Sequence, residues 1–192
     1  MSTLDSPNNF VDQSNVPYMS TALRYGGLAG LGSVILGLLS NMLGLVDPCK
    51  GFSASSALIM VVGIGIMVAA GALAVQHHRN NELGGYITFG RAFVVAFIAI
   101  AIAAAIGGAF NLLYMYVIDP TMVDTMKDCI VQQYEEAGMS QEQIDQAMGF
   151  VGISFNPAVQ AVSGIIFGPA FYGAIIGLII GAIMKKNPPH MA

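Results

Sequence analysis

The sequence predicts an all-α integral membrane protein: a four-transmembrane-helix bundle with a short amphipathic helical hairpin in the outer loop between helices 3 and 4. Composition is the first support, because 55% of the 192 residues are hydrophobic and only 9% are charged. An average soluble domain carries about 25% charged residues, so this chain lacks the polar side chains that cover a globule in water. The second support is that four long segments contain no charged side chain.

These uncharged segments predict membrane spans at residues 26–45, 53–75, 92–118 and 158–184. A helix needs roughly 20 apolar residues to cross about 30 Å of hydrocarbon. The segments lack the period-two alternation of barrel strands, and helices satisfy their own backbone hydrogen bonds in lipid. A single four-helix membrane domain is therefore expected over residues 20–188.

The residues before this domain, 1–19, are expected to form a mobile cytoplasmic tail, because they are polar and have no apolar periodicity. The first span is not expected to be a cleavable signal peptide. Its apolar run is longer than the roughly 7–15 residues of a signal sequence, and a polar stretch precedes it.

Lysine and arginine predict the orientation of the spans. The side with the N-terminal tail, the middle loop and the C-terminal segment holds five of these residues, against two on the other side. They are Arg24, Arg79, Arg91, Lys185 and Lys186, against Lys50 and Lys127. Because Lys- and Arg-rich loops stay in the cytoplasm, the sequence predicts a multi-pass membrane protein with both termini cytoplasmic.

The outer helical hairpin is predicted at about residues 120–151. Pro120 suits a first helical turn, and Gly138 suits the left-handed residue that ends a helix. Ser140 with Gln143 matches a capping box for the second helix. Apolar residues mark one face of each helix: Met122, Met126, Cys129, Ile130 and Ala137 in the first, and Ile144, Ala147, Met148 and Val151 in the second.

The two cysteines, Cys49 and Cys129, both fall on the predicted outer side, where an oxidising compartment favours disulfides. Bridged Cα atoms lie within about 7 Å, so a disulfide requires the chain to bend at Asp119 and the hairpin to lie over the bundle. The alternative is that Cys129 is one more apolar residue of the hairpin and Cys49 an ordinary loop residue.

Small residues at four-residue spacing predict where helices pack closely, since close backbone contact associates helices in lipid. The helix-packing candidates are Gly26, Gly30, Gly164, Gly168, Gly173, Gly177 and Gly181. The stripe from Gly173 to Gly181 favours a seam within the bundle, with a homodimer interface as the alternative. Pro169 is expected to kink the last span.

Polar residues near the ends of the spans are expected to have structural roles. Asn41 and Asn111 are expected to bond to neighbouring helices. His77 and His78 are expected to face the lipid headgroups, since adjacent helical residues diverge by about 100° and no further ligand stands at metal-binding spacing. No catalytic, cofactor-binding or metal-binding residue is predicted.

Three motifs carry a family resemblance: residues 84–90 (GGYITFG), 118–120 (IDP) and 138–144 (GMSQEQI). They resemble the domain-of-unknown-function family 4199, found mainly in Bacteroidetes, and the order of elements matches over about residues 18–188. The resemblance implies a four-helix inner-membrane protein with no assigned activity.

The expected function is non-catalytic: an accessory, scaffold or assembly subunit that acts through its helix seams and the acidic outer hairpin. Expected partners are membrane lipids and another membrane protein or a second copy of the chain; seven scattered basic residues and a net charge of −4 exclude nucleic acid. The alternative is a small transporter or channel for a neutral solute, and an enzyme comes third. The sequence leaves the partner, the solute and the oligomeric state open.

Overall fold

The structure is a computed structural model that describes residues 12–47, 49 and 53–187. Four of its helices are long and apolar enough to cross a membrane: Met19–Met42, Ala54–Glu82, Phe89–Ile118 and Pro157–Met184, here spans 1 to 4. The prediction of an all-helical chain with four such helices is confirmed. Span 1 begins before its uncharged segment and span 2 ends after its own, because a helix can continue beyond the part suited to hydrocarbon, whereas span 1 ends at Met42 and not at residue 45.

Three spans change to π-helical winding near one end, at His78–Glu82, Tyr114–Ile118 and Val162–Phe167. The remainder of span 4 consists of α-helices at Pro157–Ala161 and Gly168–Met184. π-Helical turns are rare and frequently occur at functional sites. In this chain they lie next to the two polar regions described below.

Span 3 is the centre of the bundle and contacts all three other spans. One end of the bundle, the tail end, holds residues 12–18, the loop at 83–88 and residues 185–187. The other end, the hairpin end, holds residues 43–47 and 119–156. The half of the bundle next to each end is named after it.

The buried core lies in the tail half. Its members are Ala22, Ala74, Val75, Leu83, Ile87, Ala92, Val95, Ala96, Ala99, Ile100 and Ile180. Alanine on spans 1, 2 and 3 lets these helices approach closely, which is the usual basis of helix association in lipid.

The residues just before span 1 pack against the tail end. The Gln13 side-chain oxygen accepts hydrogen bonds from the Thr88 amide at 3.2 Å and the Thr88 hydroxyl at 3.1 Å. In the predicted mobile tail at residues 1–19, residues 12–18 thus contact the bundle in this structure; residues 1–11 lie outside the described residues. Ile87 and Lys186 also exchange backbone hydrogen bonds, which ties the middle loop to the end of span 4.

The loop between spans 3 and 4 contains two helices, Thr121–Glu136 and Gln141–Ser154, here called the hairpin. Gly138 adopts a φ of +77° between them, and the Ser140 amide donates to the Gln143 side-chain oxygen at 2.9 Å. The backbone leaves helical geometry at Asp119, with φ −132° and ψ 78°. This bend turns the hairpin across the bundle.

A disulfide joins Cys49 to Cys129, with the Cα atoms 4.9 Å apart. The Gln133 side-chain amide also donates to the Cys49 carbonyl at 3.3 Å. The structure thus contains the cysteine pairing that the sequence left open, and it ties the first hairpin helix to the segment between spans 1 and 2.

Candidate functional site

The glycine stripe of span 4 packs against a row of phenylalanines on span 3. A Cβ atom at Gly173 would lie 3.1 Å from the Phe97 ring, and one at Gly177 would lie 3.3 Å from the Phe97 amide nitrogen. At Gly181 it would lie 3.2 Å from the Phe93 amide nitrogen. The stripe therefore forms a seam within the bundle, here called the Phe–Gly seam. The glycine face is covered by span 3 of the same chain.

Gly26 and Gly30 form a second seam, between spans 1 and 3. A Cβ at Gly26 would lie 2.5 Å from the Ala99 carbonyl oxygen, and one at Gly30 would lie 2.8 Å from the Ile106 Cβ. Only glycine allows the two backbones to approach this closely without displacement.

The predicted packing pair Gly164 and Gly168 does not form a seam of this kind. A Cβ at Gly164 would meet no described atom of a neighbouring helix within 4 Å, and one at Gly168 would meet only the Ser163 carbonyl of its own span. At this contact the glycine that must lack a side chain is Gly108 of span 3, because a Cβ there would be 2.6 Å from the Gly164 carbonyl oxygen of span 4. Four-residue spacing identifies a small face on a helix but not whether another helix covers it.

Near Gly108 the hairpin half opens into a cavity of about 850 Å³ between spans 2, 3 and 4. This polar cavity is lined by hydrogen-bonding side chains and by small or apolar residues. The hydrogen-bonding side chains are Asn111, Ser154, Gln160, Ser163 and Tyr172, and the others include Met67, Ala104, Gly107, Gly108 and Pro169. Among the described residues, no charged side chain lines it.

Pro169 and the π-helical turn shape the wall of the polar cavity on span 4. The Gly168 amide bonds to the Ser163 carbonyl, five residues earlier, and Pro169 has no N–H to continue the pattern. A backbone carbonyl in the preceding turn is therefore left without its helical donor. The sequence predicted a kink at Pro169; the structure shows a wider turn that brings Ser163 and Gly164 to the cavity.

Asn111 lies on the surface of the polar cavity and not in a helix–helix contact. Within the described ranges its side chain has no hydrogen-bond partner, and the same holds for the side chain of Asn41. The expectation that both asparagines bond to neighbouring helices is therefore wrong. Polar side chains in a membrane span commonly face a water-filled cavity or a ligand, and Asn111 fits that pattern.

A second polar region lies at the tail end, where four side chains from three spans form one hydrogen-bonded chain, here called the His78 cluster. The Arg91 Nε–H donates to His78 Nε2 at 3.1 Å, and His78 Nδ1 lies 2.6 Å from Glu82 Oε2. The Thr21 hydroxyl donates to the other Glu82 oxygen, and Arg91 also donates to the Val16 carbonyl.

The geometry of the His78 cluster fixes the state of its histidine. Since a guanidinium group only donates, His78 Nε2 must accept, and the ring proton lies on Nδ1 and is donated to Glu82. His78 is 0% exposed, so the expectation that it faces headgroups is wrong; His77, which contacts the Tyr25 ring, remains half-buried. These hydrogen bonds satisfy the buried histidine and join spans 1, 2 and 3.

The described residues contain no group of three or more His, Cys, Asp or Glu side chains placed to hold a metal ion. The His78 cluster consists of one histidine and one carboxylate held by Arg91 and Thr21. The hydrogen-bonding groups of these side chains are occupied by one another. This arrangement favours a structural link between helices over a ligand-binding site.

Sequence reasoning missed the polar cavity and the His78 cluster for different reasons. The four-residue spacing of His78 and Glu82 on one helix face was a usable signal, since side chains at that spacing meet. Arg91 is their neighbour only through the packing of span 3 on span 2. For the cavity, the nearest signal was the proline and glycine content of span 4 beside Ser163.

The family of the chain follows from a comparison with family models. The model described as "Protein of unknown function (DUF4199)" matches residues 24–186, a range that includes His78, Glu82 and Arg91 of the His78 cluster and the residues that line the polar cavity. No curated protein and no solved structure matches the chain. Because the match covers well over half of the 192 residues, the chain belongs to this family of proteins of unknown function.

Proposed function

We propose that this protein is a non-catalytic component of a bacterial inner membrane that binds an uncharged polar group in its polar cavity. The observation that carries the proposal is the lining: Asn111 and Gln160 border a space of about 850 Å³ with no charged described residue, and the Ser163 hydroxyl beside them donates to the Val159 carbonyl of its own helix at 2.8 Å. That volume falls within the roughly 300–1,000 Å³ of small-molecule sites. An ion or a charged substrate would lose hydration there without a compensating charge.

Entry from the hairpin side is the route that the packing favours. In the tail half the Phe–Gly seam and the His78 cluster close the contacts between the spans and leave pockets of about 230 and 350 Å³, whereas the polar cavity of about 850 Å³ lies in the hairpin half. If five of the seven Lys and Arg residues mark the cytoplasm, the cavity faces outward. Transport of a solute across the membrane would require the Phe–Gly seam to open, whereas binding of the solute in the polar cavity would not.

A binding experiment with a matched variant tests the proposal. The purified protein in nanodiscs is titrated with neutral solutes such as glycerol, sugars and small amides, and melting temperature and heat of binding are measured. Asn111→Leu should abolish the response of the wild type, because it removes a hydrogen-bonding group from the cavity wall. Asn41→Leu is the control, since Asn41 lies outside the polar cavity and should leave binding unchanged. Equal loss in both variants, or no response from any solute, would contradict the proposal.

A second candidate function is that of an accessory or assembly subunit, which acts through the hairpin. Phe150 and Ile153 on the second hairpin helix are 77% and 59% exposed, and they give this helix an apolar face. The Phe–Gly seam and the Gly26–Gly30 seam are occupied within the bundle, so a partner would meet the hairpin and not the seams. Affinity purification in mild detergent of the wild type and of Phe150→Ser tests this role: a stoichiometric partner that is lost only in the variant would support it.

A further inference from the structure

We propose that the ligand of the polar cavity is a single-chain amphiphile, whose uncharged polar head lies in that cavity and whose hydrocarbon chain lies in an adjoining apolar cavity. This inference rests on the proposed function and names its ligand class. It depends on three features of the hairpin half: a second cavity, its continuity with the first, and the chemistry of the two linings.

The second cavity has a volume of about 320 Å³ and lies among all four spans. Leu36 and Gly37 of span 1, Ile59 and Gly63 of span 2, and Ile176 of span 4 form much of its wall. The Ser33 hydroxyl also reaches the wall, but it donates to the Ala29 carbonyl of its own helix at 3.0 Å. This cavity, here called the apolar cavity, therefore offers a hydrocarbon surface.

The two cavities adjoin. Met67, Ala104 and Tyr172 line both of them. A molecule with its polar head beside Asn111 could therefore extend past these three residues into the apolar cavity. Tyr172 carries an apolar ring and a polar hydroxyl, which suits a residue at the junction of a head and a chain.

The chemistry of the walls selects the ligand. An apolar cavity of this kind does not hold water well, whereas a hydrocarbon chain can fill it and contact its walls. The polar cavity offers amide and hydroxyl groups, which suit hydroxyl or amide heads. A phosphate or carboxylate head would find no cationic side chain among the described lining residues of either cavity.

Glycine positions allow a test that leaves the fold intact. A Cβ at Gly63, in the wall of the apolar cavity, would meet no described atom of a neighbouring helix within 4 Å. The same is true of Gly65, which lies on the same helix outside the apolar cavity. Gly63→Leu should fill part of the chain site, and Gly65→Leu is the matched control with the same change in helix propensity and hydrophobicity.

The experiment measures binding of monooleoylglycerol to the full-length protein in nanodiscs. Glycerol serves as a probe of the polar head alone, and oleate as a probe of the same chain with a charged head. We expect monooleoylglycerol to bind at least tenfold more tightly than glycerol or oleate. Gly63→Leu should weaken it at least tenfold without changing the response to glycerol, and Gly65→Leu should change neither.

The two proposals fail in different ways. If glycerol binds in an Asn111-dependent way but monooleoylglycerol binds no more tightly, or binds Gly63→Leu as well as the wild type, the amphiphile is wrong and the polar cavity remains a solute site. If neither glycerol nor monooleoylglycerol binds, both proposals fall. Tighter binding of oleate than of monooleoylglycerol would overturn the uncharged head.

Discussion

The tail half and the hairpin half of the bundle use similar residues to opposite effect. In the tail half, Gly26, Gly177 and Gly181 face backbone or phenylalanine rings within 2.5–3.3 Å of where a Cβ would lie. In the hairpin half, Gly37 and Gly63 face open space and line the apolar cavity. These glycines close contacts between spans in one half and leave room in the other, although Gly108 of the hairpin half is also closely packed, against the Gly164 carbonyl. Whether a glycine is covered depends on which atoms of the neighbouring helix lie opposite it. Gly26, Gly177 and Gly181 are covered in the tail half, and the glycines that line the apolar cavity lie in the hairpin half.

The largest expected effect comes from breaking the His78 cluster of the tail half. Glu82→Ala would leave His78 and Thr21 without the carboxylate that accepts their hydrogen bonds and would remove the negative charge nearest to Arg91, which should cost about 2–4 kcal/mol of stability. The thermal midpoint in detergent should fall by several degrees. Glu135→Ala, on the exposed face of the hairpin, is the control and should change stability by less than about 0.5 kcal/mol. A fall of equal size in both variants would show that the cluster has no special role.

The next effect concerns the seam between spans 1 and 3. Gly26→Ala adds one methyl group 2.5 Å from the Ala99 carbonyl oxygen, so the helices must separate. Overpacking of this kind costs about 1–3 kcal/mol. Gly27→Ala is a control on the adjacent residue, where a Cβ meets no described atom of a neighbouring helix within 4 Å. It should be neutral or slightly stabilising, because alanine favours helix over glycine. Equal melting temperatures in the two variants would contradict the assigned seam.

The disulfide should have a smaller and more local effect. Replacing both Cys49 and Cys129 by serine releases the hairpin but leaves the tail half untouched. We expect faster hydrogen exchange in Thr121–Glu136 with little change in the amides of span 3 near Ala96. Faster exchange throughout the bundle would show that the two halves are one cooperative unit. In the wild type, mass spectrometry after alkylation of freshly isolated membranes should find both cysteines unmodified by the reagent.

The sequence predicted the number of long apolar helices because charge is so costly in hydrocarbon that its absence leaves a clear pattern. It also singled out Gly173, Gly177 and Gly181, since four-residue spacing places them on one face. It could not separate these from Gly164 and Gly168, because the same spacing occurs whether or not a neighbouring helix covers the face. Three-dimensional packing, and not residue type, decides that question.

The polar residues show the same limit. The sequence placed His78 among the lipid headgroups and used Arg91 only as a sign of orientation. Their hydrogen bonds depend on the approach of span 3 to the end of span 2, which no local pattern encodes. Asn111 was expected to bond to a helix, and the opening around it arises from the π-helical turn before Pro169. The positions of helix ends were also missed: span 1 begins at Met19 and ends at Met42, whereas the uncharged segment runs from 26 to 45.

The central claim is that the hairpin half is open to a ligand while the tail half is sealed, and cysteine accessibility tests it most directly. Ser163→Cys lines the polar cavity, and Ala96→Cys occupies a position that is 0% exposed in the tail half. Both are made in a chain whose native cysteines are serine and are treated with a small water-soluble thiol reagent. We expect Ser163→Cys to react at least a hundredfold faster than Ala96→Cys, and a cavity ligand to slow it. Equal reaction rates at the two positions would contradict the division of the bundle into a sealed half and an open half.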